Sequence, residues 1–65
     1  MLLSSPRQIE VLELLANGLM TAGIAYRMGI SPRTVEIYRA AIIHTLGAQH
    51  MAHAVAIAFR EGILR

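Results

Sequence analysis

Four consecutive residues, Gly29-Ile30-Ser31-Pro32, end one helix and begin another with no room for a loop between them. Glycine tolerates the positive φ at which a helix stops. Serine followed by proline supplies an N-cap side chain and a ring already set at helical φ. Two helices joined so tightly cross at about 100° and need a small residue where their backbones approach, which Ala25 provides. Ile24, Ile30, Val35 and Tyr38 fall where apolar side chains pin both helices to a shared core. Residues 21–40 therefore read as a helix-turn-helix.

The same punctuation divides the rest of the chain. Ser5-Pro6 begins a first helix, with Gln8 placed to close a capping box. It is expected to run to about Asn17 and stop at Gly18, with Ile9, Leu12, Leu15 and Ala16 on one face. Thr21 is expected to cap a short second helix that buries Ile24, Ala25 and Met28. Ile30 before the serine cap and Val35 inside the third helix form a hydrophobic staple. That third helix meets no breaker before Gly47, giving about fifteen residues, or roughly 22 Å. Val35, Tyr38, Ile42 and Leu46 make its buried stripe, and Arg33, Glu36, Ile37, Ala40 and His44 lie opposite. A fourth helix spans roughly Met51 to Glu61 and ends at Gly62, with no good capping residue at its start. The expected fold is all-α, one four-helix domain over residues 1–65, without repeats or linkers.

Composition narrows the chemistry. A chain of 65 residues buries only roughly 60% of its unfolded surface, so the fold must be simple. There is no cysteine, hence neither a disulfide nor thiolate chemistry, which fits a reducing, cytoplasmic setting. Residues 40–59 carry no Arg, Lys, Asp or Glu, yet His44, Thr45, Gln49, His50 and His53 make membrane insertion costly. The start, Met-Leu-Leu-Ser-Ser, lacks the basic and apolar runs of a signal peptide. Ser4, Ser5 and Ser31 are better used as caps or loop residues than as nucleophiles. The four glutamates are scattered and no glycine-rich phosphate loop exists, so an enzyme is not expected. His50 and His53, with His44 more distant, lack a carboxylate or cysteine to complete a metal site. No cofactor or small-molecule ligand is expected.

Net charge is only +2, and every cation is an arginine. Phosphate neutralisation supplies much of the affinity for DNA, so this modest charge favours a plain packing corner. Against that stand Arg33 and Arg39, the free N–H groups at the start of the third helix, and small Ala40, which permits close approach to base edges. The two readings are a DNA-binding module and a helical interaction module without DNA binding.

The chain resembles the LuxR-type, or GerE-like, helix-turn-helix domain of quorum-sensing regulators and of NarL and FixJ response regulators. The resemblance rests on Ser5-Pro6-Arg7 with Glu10-Val11-Leu12, on Leu15-Ala16-Asn17-Gly18-Leu19, and on Ile24-Ala25 through Gly29-Ile30-Ser31. It continues through Thr34-Val35 to Ile42 and Leu46-Gly47, without gaps from about residue 3 to residue 64. Ser31-Pro32-Arg33-Thr34-Val35-Glu36 is most similar to the FixJ-like branch. The resemblance implies a bacterial transcriptional regulator with its third helix in the major groove of double-stranded DNA. It places base reading on Glu36, Ile37 and Ala40, and phosphate contacts on Arg33, Thr34, Tyr38 and Arg39, with Thr21 and His44 beside them. RNA polymerase is a further expected partner, and the nucleoid the expected location. Glutamate can accept from cytosine N4, and isoleucine can touch a thymine methyl.

Several positions depart from the family pattern. Many members carry lysine at positions 36 and 45, histidine at 38, and lysine and glutamate at 22 and 23. Here these are Glu36, Thr45, Tyr38, Ala22 and Gly23. Fewer cations face phosphate, so a monomer should bind weakly and dimerisation on DNA gains importance. The fourth helix is apolar most of the way round. Ala52, Val55 and Phe59 are expected to cover the core, leaving Met51, Ala54 and Ala58 for a symmetric homodimer contact. Glu10 is expected to order the scaffold by pairing with Arg27 or Arg39.

Overall fold

The computed structural model describes residues 5–65; Ser4 lies outside them. Four helices follow one another: α1 (Pro6–Ala16), α2 (Thr21–Met28), α3 (Pro32–Leu46) and α4 (Met51–Arg60). Among the described residues there is no strand. Helix α3 packs against each of the other three, and α1 also touches α2 and α4.

Helix starts follow the serine-proline signals. Ser5 Oγ accepts from Gln8 N–H at 3.5 Å, and Ser31 Oγ accepts from Thr34 N–H at 3.1 Å. Helix ends follow a signal repeated four times, a glycine and then an aliphatic residue. At the corner, Gly29 has φ +69°, its N–H donates to the Tyr26 carbonyl, and Ile30 N–H donates to the Ala25 carbonyl. This is a Schellman motif, which satisfies carbonyls that the helix leaves unpaired. Gly47-Ala48, with φ +66° at the glycine, repeats it at the end of α3. Leu19, Ile30, Ala48 and Ile63, the residues after the four glycines, all pack against the core. Each chain reversal is thereby tied to the interior.

The core comprises Val11, Leu12, Ile24, Ala25, Val35, Ile42, Leu46, Ala54, Ile57, Ala58 and Leu64, and no described polar residue is buried with them. Four expectations need correction. On α1, Val11 joins Leu12 at 0% exposure, Ile9 and Leu15 are half-buried and Ala16 is exposed, because α1 meets three helices over a wide sector. Thr21 does not cap α2. Met20 occupies that position in extended geometry without a side-chain hydrogen bond, and Thr21 is the first helical residue.

Helix α4 does have a side-chain cap. His50 Nδ1 accepts from His53 N–H at 3.2 Å, and His53 Nδ1 accepts from Gln49 N–H at 3.0 Å. The face of α4 is also turned from the expected one. Ala54 and Ala58 are wholly buried and Ile57 nearly so, whereas Ala52 is exposed, Val55 half-buried and Phe59 49% exposed. The alanines sit innermost because their small side chains let α4 lie close to α3 and α1. Ala54 and Ala58 are therefore unavailable to a second subunit, and Met51 packs partly on the core.

Candidate nucleic-acid interface

The buried stripe of α3 fixes what its other side presents. Val35, Ile42 and Leu46 are inside, and half-buried Tyr38 packs against them. One helical face away, Arg33, Glu36, Ile37, Ala40 and His44 are all exposed. Spacings of three and four along this set make one continuous strip. Ile37 is 59% exposed on a helix anchored to three neighbours, so its position on the outside is not a packing accident of a loose end. The three positions assigned to base reading, Glu36, Ile37 and Ala40, thus lie together on the open strip.

The residues assigned to phosphate divide into two groups. Arg33 and His44 are exposed near opposite ends of the strip, and Arg33 has no carboxylate partner among the described residues. Thr34, Tyr38 and Arg39 are half-buried at its margin. Thr34 Oγ1 shares a hydrogen bond with Ser31 Oγ at 3.0 Å, which ties it to the helix start. Thr21 reaches the strip from α2. Its hydroxyl donates to Glu36 Oε2 at 2.6 Å and accepts from Arg39 Nη1 at 3.4 Å. Arg39 Nε lies 3.8 Å from Glu36 Oε1. Sequence reasoning places all three residues near DNA but misses that they bind one another. Thr21 and Glu36 are fifteen positions apart, and only the α2–α3 crossing brings them together.

Glu10 pairs with neither Arg27 nor Arg39. Its partner is Arg7, one helical turn away at 3.9 Å, with both side chains about half exposed. Such a pair contributes little in water, roughly 0–1 kcal/mol. Sequence reasoning also passes over Tyr26, an aromatic that is 91% exposed on α2, and Met20, which is 79% exposed just before it. Tyr26 lies off the inward stripe of Ile24, Ala25 and Met28, and that offset was the available signal; Met20 has the spacing of the stripe but precedes α2 in extended geometry.

No group of three or more His, Cys, Asp or Glu among the described residues is placed to hold a metal. His50 and His53 instead direct ring nitrogens at backbone N–H groups. No helix of the described residues is long and apolar enough to cross a membrane. The run 40–59 is interrupted by the turn at Gly47.

The family of bacterial regulatory proteins designated luxR matches residues 2–58. The transcriptional regulatory protein FixJ of Azorhizobium caulinodans is 46% identical over 59 residues, which cover 91% of this chain and 28% of that protein. The transcriptional regulatory protein YdfI of Bacillus subtilis is 40% identical over 58 residues, 89% of this chain and 27% of that protein. The chain thus spans less than a third of the curated relatives it matches. The solved structure of the transcription factor GerE superposes with a TM-score of 0.93 at 29% identity, covering 100% of this chain and 96% of that one. These relatives are transcriptional regulators and not enzymes, the class that the resemblance implies.

Proposed function

This chain belongs to the LuxR family of bacterial regulatory proteins, and from that membership we propose that it binds double-stranded DNA in a sequence-dependent way with α3 in the major groove. The observation that carries the proposal is the open strip of α3. Arg33, Glu36, Ile37, Ala40 and His44 face solvent although the helix beneath them is the most heavily packed of the four. A major groove about 12 Å wide admits one helix, and a strip of one guanidinium, one carboxylate, one imidazole and two small or apolar side chains suits base edges and the phosphates beside them.

Each residue then has a defined role. Glu36 accepts from cytosine N4, Ile37 meets a thymine methyl, and Ala40 allows close approach. Arg33, exposed at the start of α3, takes a phosphate, and His44 reaches another near the far end. Arg39 keeps guanidinium donors for phosphate while Glu36 offsets part of its charge. With so few cations the single domain binds weakly, and two copies bound to adjacent half-sites multiply that affinity.

We further propose that the homodimer forms through the outward face of α4, where Ala52 and Phe59 are exposed beside half-buried Met51 and Val55. A Phe59→Glu substitution should abolish dimerisation on DNA while leaving a folded monomer, as read by sedimentation.

The test of the central reading is retention of the domain on a duplex across a range of salt. A groove reader loses affinity on a log–log line, with a slope of about −0.9 for each phosphate contact. Absence of binding at every salt concentration would refute it and favour an interaction module.

A further inference from the structure

Thr21, Glu36 and Arg39 close a ring of three side chains across the α2–α3 corner. Thr21 Oγ1 donates to Glu36 Oε2 at 2.6 Å, Glu36 Oε1 faces Arg39 Nε at 3.8 Å, and Arg39 Nη1 donates to Thr21 Oγ1 at 3.4 Å. A hydroxyl has one proton and two lone pairs. Here the proton is committed to the carboxylate and one lone pair to the guanidinium. A phosphate oxygen would need that same proton and would also meet the negative charge of Glu36. The phosphate contact that the family resemblance gives to Thr21 is therefore in competition with the ring.

The carboxylate is held without being used up. An ionised carboxylate offers about four acceptor positions, and the ring fills one of them, on Oε2; Oε1 faces Arg39 as an ion pair at 3.8 Å, beyond hydrogen-bond length. Glu36 remains 58% exposed in its side chain, so the others are open to the groove. Without the ring, a glutamate with three rotatable bonds would have to be ordered at the moment of binding. One anchor lies on α3 itself, one turn away, and the other on α2. The aim of the carboxylate thus depends on the crossing of the two helices.

We infer that Thr21 is a positioning residue for base selection: its hydroxyl orients the Glu36 carboxylate toward cytosine N4, with Arg39 as the second anchor, in preference to contacting the DNA backbone. The inference rests on the proposed placement of α3 in the major groove.

Two measurements separate this inference from that placement. The first needs no DNA: three-bond couplings report whether Glu36 χ1 and χ2 occupy one rotamer in the free domain. The second selects the preferred duplex from a randomised pool and compares its affinity with that of the same duplex changed at the selected cytosine. Wild type and Thr21→Ser should show one Glu36 rotamer and the same preference. Thr21→Val, which keeps the shape and loses the hydroxyl, should show averaged couplings. It should also lose about three- to tenfold in discrimination at that one base pair, and combining it with Glu36→Ala should be no worse than Glu36→Ala alone.

Averaged couplings in the wild type overturn the positioning role whatever the DNA result. A Thr21→Val protein that keeps its preference but binds every duplex more weakly also overturns it, and marks Thr21 as a phosphate contact. Tighter binding of Thr21→Val to every duplex overturns it as well, and marks the ring as a clasp that opposes binding. A wild type that retains no duplex, yet holds Glu36 in one rotamer, refutes the DNA reading. The ring would then stand as a scaffold link, and the assignment to base selection would fall with that reading.

Discussion

His50 caps the fourth helix and His53 fastens the residue before the cap, each ring presenting Nδ1 to a backbone N–H: His53 N–H at 3.2 Å from His50, and Gln49 N–H at 3.0 Å from His53. The pattern is that of a capping box with its return bond displaced by one residue, to Gln49 N–H in place of the cap's own. His50→Ala should lower the unfolding free energy by about 0.5–2 kcal/mol, the usual loss for an N-cap. His50→Asp should retain most of it, because its carboxylate accepts the same N–H and suits the positive end of the helix. Urea unfolding of the three proteins decides the matter, and equal midpoints for wild type and His50→Ala would remove the cap from the account.

The orientation of α4 gives a sharper contrast. Ala54 and Ala58 are wholly buried, and Ala52, on the same helix, is exposed. Ala54→Leu should destabilise by about 1–3 kcal/mol through overpacking. Ala52→Leu should change stability by no more than about 0.5 kcal/mol. The reverse order in chemical denaturation would mean that the helix faces the other way.

At the corner, Gly29 has φ +69°, and a Cβ added there would meet nothing within 4 Å. The penalty for Gly29→Ala is therefore confined to the backbone, about 1 kcal/mol. Gly29→Asn should cost less, since asparagine tolerates this region better. Denaturation midpoints for the pair test whether conformation or space governs the position.

On DNA, Arg33→Ala should weaken binding to all duplexes alike and make the salt slope shallower by about 0.9, the share of a single phosphate. Glu36→Gln removes a negative charge beside Arg39 and should tighten binding to unrelated duplexes while relaxing base preference. Anisotropy titrations at several salt concentrations distinguish the two, and an unchanged slope in Arg33→Ala would take that residue off the phosphate backbone.

Helix bounds were legible because the signals that set them are local. Ser31-Pro32 and Gly47-Ala48 carry their meaning within a few residues, and α3 runs between them. The open strip on α3 was legible for the same reason, since a clean stripe at Val35, Ile42 and Leu46 dictates what lies opposite. Helix α4 offered no such phase. It is apolar nearly all round, so periodicity could not say which residues face inward, and size favoured Val55 and Phe59 over the alanines that lie deepest. The histidine cap was missed because imidazole is an uncommon N-cap. The Thr21–Glu36 hydrogen bond was hidden by sequence distance, for it exists only once two helices have crossed.

Because α3 is lodged against α1, α2 and α4 together, it cannot pivot on its own. Under the proposed docking, a domain built this way would meet its target as a hard die, with little compliance in the element assigned to reading. Whatever mismatch exists between its curvature and that of a straight duplex is left for the nucleic acid to absorb. Easily kinked pyrimidine–purine steps flanking the touched bases would then influence affinity as strongly as some of the touched bases themselves.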